Sequence, residues 1–233
     1  MIVRDVGVVI VAAGASTRTG AGASGELKQF RWVAGKPMLL HSLQEFQARP
    51  DVAMVVCVLP RHVAGDPPPW LFQCDTERLL VAPGGAVRGE SVRHGLEDLP
   101  DTCRYVLIHD AARPLVTAAM IDRVVMEVRK GHAAIAALPV VDTIKEVAAS
   151  GSVVRTVDRS SLWRAQTPQG FPREMILQAH RNALATGIDA TDDAALCEQL
   201  GLAVVVVRGS ERAMKVTDDA DFARAEMLRG LGE

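Results

Sequence analysis

Val6-Gly7-Val8-Val9-Ile10-Val11-Ala12-Ala13 is an apolar run that stops at Gly14-Ala15-Ser16-Thr17-Arg18. A run with no alternating polar position suits a strand buried on both faces, as in a parallel sheet covered by helices. In open α/β sheets such strands end at the ligand crevice. Gly14 lets a ligand approach the backbone closely, and N–H groups from Ala13 to Thr17 then converge on anionic oxygens. Arg18 adds a planar bidentate donor, and Lys28, beyond further glycines, a compact charge. The loop reads as a polyphosphate cradle. An ordinary strand–helix turn with two surface cations is the competing reading.

A dinucleotide-like spacing, Gly20-Ala21-Gly22-Ala23-Ser24-Gly25, lies inside this loop. It begins well past the strand and runs into Glu26-Leu27-Lys28 without opening an apolar helix. The acid at a suitable distance, Glu45, falls within a helical pattern and not at a second strand end. Both points disfavour a nicotinamide or flavin site, and no Gly-Lys-Ser/Thr follows to make a Walker loop.

The rest of the chain alternates short Val/Ile-rich runs with helical patterns. Val6–Ala12, Ala53–Leu59, Leu79–Val81, Tyr105–His109, Ala133–Leu138 and Ala203–Arg208 read as strands. Pro37–Gln47, Ser91–Leu99, Thr117–Lys130, Pro172–Ala185, Asp192–Leu200 and Asp218–Leu228 read as helices, with Pro37 and Pro172 in first turns and Thr117, Asp192 and Asp218 at N-termini. This alternation predicts an α/β fold, a doubly wound and mostly parallel sheet with right-handed crossovers. One segment breaks the rhythm. Thr143–Val147 and Val153–Val157 flank a small polar turn and read as a hairpin, either at an edge of the same subunit or as an arm packed on a partner. No repeat or linker appears, so a single domain over residues 1–233 is expected, with the arm at roughly residues 140–160.

Composition narrows the class. The 233 residues are 48% hydrophobic with a formal net charge of −2, enough apolar content for one substantial core and no global pull toward nucleic acid or membrane. Aromatics at 4% argue against a base-stacking platform for single strands. Cys57, Cys74, Cys103 and Cys197 form no Cys-x-x-Cys pair and read as reduced core or surface thiols of a cytosolic protein. The apolar N-terminal run is too short for a membrane span.

Further polar groups stand at element ends. Gly84-Gly85-Ala86-Val87-Arg88 lets a flat ring lie against backbone, while Ser91 either caps the next helix or meets a base edge. Asp110, at a strand tip, suggests an Mg²⁺ contact or a hydroxyl acceptor, and Arg113 either pairs with it or serves a ligand. Thr191-Asp192-Asp193 resembles a helix start stabilised by its acids more than a metal pair. Lys215 follows an exposed turn before Thr217-Asp218.

In order, VVIVAAGASTR, KQF, GGAVRGESV, LIHDAARPLV, VVDTIKEV, VDRSSLWRAQTPQGF, TDDAALCEQLG and MKVTDDADF resemble the 2-C-methyl-D-erythritol 4-phosphate cytidylyltransferase family over nearly the whole chain. The resemblance implies a Rossmann-like nucleotidyltransferase fold with a protruding β-hairpin dimerisation arm. It implies transfer of the cytidylyl group of CTP to the sugar phosphate with release of pyrophosphate, a step of non-mevalonate isoprenoid synthesis, aided by Mg²⁺ held mainly by the CTP phosphates and by Asp110. By resemblance Arg18, Lys28, Arg159 and Lys215 are catalytic. Ala12, Ala13, Gly14, Ala15, Gly85, Ala86, Ser91, Asp110, Ala111 and Lys215 contact CTP. Asp110, Arg113, Thr143, Arg159 and Thr191 contact the sugar phosphate, with Thr143 and Arg159 reaching across a homodimer.

Ribitol 5-phosphate cytidylyltransferases share the scaffold, and the Ala111-Ala112-Arg113-Pro114 form favours the erythritol enzyme. A non-catalytic nucleotide-binding regulator would be expected to lack some of Arg18, Lys28, Asp110 and Lys215, all of which are present here. Fusion to the downstream cyclase would need a longer chain. Leu27 replaces the family's usual Pro, and the lengthened stretch before Lys28 predicts a loop poorly ordered without nucleotide.

Overall fold

A computed structural model describes residues 3–14 and 27–230. The glycine loop with Ala15, Arg18, the dinucleotide-like spacing and the expected loop disorder therefore lies outside the described residues. In chain order the elements are β1 (Val6–Val11), the short ribbon β2 (Trp32–Val33) and β3 (Lys36–Pro37), α1 (Met38–Gln47), β4 (Val52–Leu59), α2 (Arg61–Ala64), β5 (Leu79–Pro83), α3 (Arg88–Glu97) and β6 (Tyr105–Asp110). They continue with α4 (Ala118–Arg129), β7 (Ala133–Pro139), β8 (Ile144–Val147), β9 (Val153–Val157), β10 (Trp163–Pro172), α5 (Arg173–Thr186), α6 (Asp193–Gln199), β11 (Val204–Arg208) and α7 (Asp219–Gly230).

Seven strands form one sheet in the order β11-β7-β10-β6-β1-β4-β5. β1 pairs in parallel with β4 on one side and β6 on the other, and only β10 runs against its neighbours β6 and β7. The mostly parallel, doubly wound sheet is the expected one. Its strand order reverses between β1 and β6, the switch point where such sheets open a crevice. The apolar run of β1 is explained by its two covered faces. Val8 and Ile10 belong to the core that includes Leu39 and Leu43 of α1 and Met120 and Val124 of α4, while Val9 belongs to the core with Val92 and Leu96 of α3 and Ile176 of α5.

β10 had no counterpart among the predicted strands. Its second part, Gln166-Thr167-Pro168-Gln169-Gly170-Phe171-Pro172, mixes three polar residues with two prolines, which ordinarily exclude a central strand. The pairing with β7 shifts register between Ala165 and Gln169, so Pro168 sits where the ladder is interrupted. Pro37 and Pro172 stand at the N-caps of α1 and α5, one residue earlier than expected, with extended ψ values of 137° and 134° that carry the chain straight from strand to helix. Thr117 and Asp192 are N-caps as read, accepting from Met120 N and Ala195 N, and Asp218 Oδ1 accepts from Asp221 N.

β8 and β9 form a two-stranded sheet of their own. Glu146 and Arg155 pair across it, and Lys145 donates to Thr156. Val147, Val153 and Val154 are exposed. The four cysteines are free and buried, so none is a surface thiol. No helix among the described residues is long and apolar enough to cross a membrane.

Candidate active site

The strand ends at the switch point surround a cavity of about 380 Å³. Of the residues expected on the nucleotide, Ala12, Ala13, Gly14, Lys28, Gly85, Ala86, Ser91, Asp110, Ala111 and Lys215 all line it. They come from the ends of β1, β5 and β6, the first turn of α3, the 3₁₀ turn Lys28–Phe30 and the segment before α7. Parallel strands end on one edge of the sheet, which brings loops distant in sequence together.

The loops after β1 and β5 touch. Gly84 N donates to Leu59 O at 2.7 Å, and a Cβ on Gly84 would stand 2.2 Å from the Ala13 Cβ. Glycine here is a packing requirement. Ser91 lies in the first turn of α3, which begins at Arg88, so it is not the cap suggested by the sequence. Its Oγ accepts from Gly85 N at 3.0 Å and donates to Val87 O at 3.2 Å, which pins the glycine turn.

The basic wall is equally constrained. Gln29 donates to Ala12 O at 2.6 Å and ties the 3₁₀ turn to the end of β1. Lys28 Nζ donates to Val216 O at 2.9 Å, next to Lys215. Lys215 Nζ donates to Asp110 Oδ2 at 2.8 Å, and Arg88 Nε and Nη2 face Asp110 Oδ1, each at 3.4 Å. Burial alone would raise the Asp110 pKa. The Arg88 and Lys215 charges and the Lys215 hydrogen bond outweigh burial and hold the carboxyl well below the usual carboxylate range. Asp110 is thus ionised throughout the neutral range.

Arg113 does not supply the Asp110 partner that proximity in sequence suggested. Its guanidinium donates to Ala213 O at 2.8 Å and Ala165 O at 3.2 Å. Thr143, Arg159 and Thr191 are exposed and do not line the cavity, and Arg159 instead donates to Val141 O. A second cavity of about 350 Å³ lies against Arg88, with largely apolar walls that include Leu184 and Ile188 and none of the expected site residues.

Several polar residues escaped the sequence reading. His109, wholly buried behind Asp110, accepts at Nδ1 from Thr167 Oγ1 at 3.0 Å and donates from Nε2 to Arg113 O at 3.1 Å, the tautomer this network requires. Thr167 Oγ1 in turn accepts from Asp110 N at 3.0 Å. Burial pushes the His109 pKa down to about 4, so the ring is neutral. Arg88 also escaped, although it stands between the paired glycines and Ser91, where a cation beside a nucleotide loop was a usable signal.

The doubly wound sheet, with a cavity at its switch point walled by two lysines, an arginine and glycine turns, is a Rossmann-like nucleotidyltransferase fold. The family model for 2-C-methyl-D-erythritol 4-phosphate cytidylyltransferase (IspD) matches residues 6–230. The chain belongs to that family. It is 47% identical over 234 residues to the bifunctional enzyme IspD/IspF of Rhodospirillum rubrum, with 98% of this chain and 58% of the relative covered. It is 45% identical over 230 residues to the 2-C-methyl-D-erythritol 4-phosphate cytidylyltransferase of Streptomyces coelicolor, covering 94% and 83%. The crystal structure of the Thermus thermophilus 2-C-methyl-D-erythritol 4-phosphate cytidylyltransferase superposes with a TM-score of 0.79 at 33% identity, covering 96% of this chain and 98% of the other. The chain spans little more than half the length of the bifunctional relatives it matches.

Proposed function

We propose that this chain transfers the cytidylyl group of CTP to 2-C-methyl-D-erythritol 4-phosphate, giving the 4-diphosphocytidyl product and pyrophosphate. The observation that carries this reading is the convergence of Lys28, Lys215, Arg88 and Asp110 on one cavity beside the glycine turns. The attacking group is already a phosphate anion, so no general base is required. The residues need to hold two polyanions in line and stabilise charge at the α-phosphorus. Lys28 and Lys215 supply fixed positive charge for that, with Arg18 assigned the same task from the sequence. Ala12, Ala13, Gly14, Ala15, Gly85, Ala86, Ser91 and Ala111 are assigned to the nucleotide, and the pinned Gly84-Gly85 turn offers backbone for the base.

Mg²⁺ fits this cavity as an ion carried by the substrate. Asp110 is the one acid among the described lining residues, and no described cluster of three His, Cys, Asp or Glu side chains forms a protein cage. Bound to the triphosphate with Asp110 alongside, the ion would neutralise the leaving pyrophosphate. Asp110 itself keeps Lys215 aimed into the cavity.

Thr143 and Arg159, with Arg113 and Thr191, are assigned to the sugar phosphate. The separate β8–β9 hairpin with its exposed valines supports an arm that docks on a second copy, and a homodimer would place Thr143 and Arg159 at the partner's cavity. A soluble, cytoplasmic enzyme of small-molecule substrates, without nucleic acid or membrane, is the corresponding setting. The test is pyrophosphate release from CTP with Mg²⁺. Release with methylerythritol phosphate, and little with ribitol 5-phosphate, is expected. The reverse preference would assign the pentitol reaction, and release with neither would refute cytidylyl transfer.

A further inference from the structure

The sequence suggested only a helix-start role for Asp193. In the structure that role is filled by its neighbour, because Asp192 Oδ1 accepts from Ala195 N at 3.0 Å and caps α6. Asp193 is turned inward, with its side chain only 1% exposed. Gln169 Oε1 accepts from both Asp193 N and Ala194 N at 3.1 Å, fixing this end of α6 to β10. Asp193 Oδ1 meets His180 Nε2 of α5 at 3.1 Å, and Oδ2 receives Arg88 Nη1 at 2.8 Å. A buried carboxylate that only ended a helix would not need a guanidinium from 105 residues away.

Arg88 is shared. Its contact with Asp193 at 2.8 Å is shorter than its two 3.4 Å approaches to Asp110. The second oxygen of Asp110 is thereby left to Lys215 at 2.8 Å. The order from protein interior to cavity is His180, Asp193, Arg88, Asp110, Lys215. We propose that Asp193 is a positioning residue of the nucleotide site, acting through Arg88 on the Asp110–Lys215 pair. The inference rests on the cytidylyl-transfer reading above.

Electrostatics and positioning predict opposite effects when the Asp193 charge is removed. Two carboxylates and two cations balance in this chain of contacts. Neutralising Asp193 leaves an excess positive charge beside the cavity, which favours a triphosphate. It also frees Arg88 to turn wholly onto Asp110 and compete with Lys215, so that Lys215 loses its aim. Binding of CTP is therefore preserved while turnover falls. A loss of general structure would instead lower the melting temperature and the active fraction together.

The experiment is steady-state pyrophosphate release and thermal melting of wild type, Asp193→Asn, Arg88→Lys and the double variant. Asp193→Asn is expected to lower kcat by about tenfold or more, the scale of a catalytic cation misplaced by less than 1 Å, with KM for CTP at or below the wild-type value. Arg88→Lys, which cannot span both carboxylates, gives the same kcat-selective loss and carries the test if Asp193→Asn does not fold. In the Arg88→Lys background, Asp193→Asn costs nothing further, since its route to the cavity is already cut. The inference is overturned by a kcat for Asp193→Asn within about twofold of wild type, by a loss appearing in KM for CTP, or by full additivity in the double variant. A wild type inactive with CTP and both sugar phosphates overturns the reaction assignment, and this inference with it.

Discussion

Gly84→Ala tests whether the nucleotide cavity depends on contact between the loops after β1 and β5. The added Cβ would stand 2.2 Å from the Ala13 Cβ, 3.2 Å from Leu59 O and 3.4 Å from Ser91 Oγ. A Cβ–Cβ approach of that kind cannot be accommodated without moving one backbone, and the nearest one belongs to the strand end that lines the cavity. Overpacking of this sort costs about 1–3 kcal/mol. At about 2–4 °C per kcal/mol for a chain of this size, the melting temperature should fall by about 2–12 °C. KM for CTP should rise, because Ala13 and the Gly85 turn are displaced together. The decisive arm is rescue. Ala13→Gly removes the atom that the new methyl group strikes, so the double variant should recover most of the melting temperature and of the CTP KM. Recovery stops short of wild type because Leu59 O remains close and the extra glycine costs about 0.5–1 kcal/mol of chain entropy. Differential scanning fluorimetry with pyrophosphate-release kinetics reads both quantities. A single variant indistinguishable from wild type, or a double variant no better than the single, would refute the packing argument.

Three other outcomes are expected. Lys28→Ala and Lys215→Ala should each lower turnover by about 100-fold or more with the melting curve nearly unchanged, and a well-folded variant with near-normal kcat would remove that lysine from the mechanism. Arg159→Ala should raise KM for the sugar phosphate and leave KM for CTP in place; movement of the CTP value alone would mean that the arm does not reach the sugar site. The His109 pKa is lowered on folding from about 6.5 to about 4, so the unfolded chain takes up a proton first as the solution is acidified. Its contribution to stability is complete above pH 6.5 and is lost as pH falls toward 4, by about 3 kcal/mol at about 1.4 kcal/mol per pH unit. Urea unfolding of wild type and His109→Gln between these pH values should show a shallower slope in the variant, and parallel slopes would exclude His109 as the cause.

The frame of the fold was legible because two-sided burial leaves an unmistakable mark. β1, β4 and β7 are apolar throughout and β6 is so from Tyr105 to Ile108, as strands covered on both faces require. β10 was illegible because its role is antiparallel filling between β6 and β7, with Pro168 at a register shift and Gln166, Thr167 and Gln169 buried. Those buried polar groups make sense only once their partners are known. Gln166 bonds Ser210, Thr167 serves His109 and Asp110, and Gln169 anchors α6. Most of the cavity-lining residues were readable one loop at a time, many of them at strand ends, while Arg88 was missed. The ion pairs among them were not. Asp110 has Arg113 three residues away, yet its ion-pair partners are Arg88 and Lys215, brought in by α3 and by the segment before α7. Local spacing favours the near neighbour, and the sheet order selects the distant ones.

Cytidylyl transfer is decided by where the α-phosphorus of CTP goes. CTP labelled at that phosphorus, incubated with the protein, Mg²⁺ and 2-C-methyl-D-erythritol 4-phosphate, should deliver its label to a diphosphocytidyl alcohol, with one pyrophosphate released for each label transferred. Label that remains in CTP, or that appears as CMP whether or not the sugar phosphate is present, would contradict it.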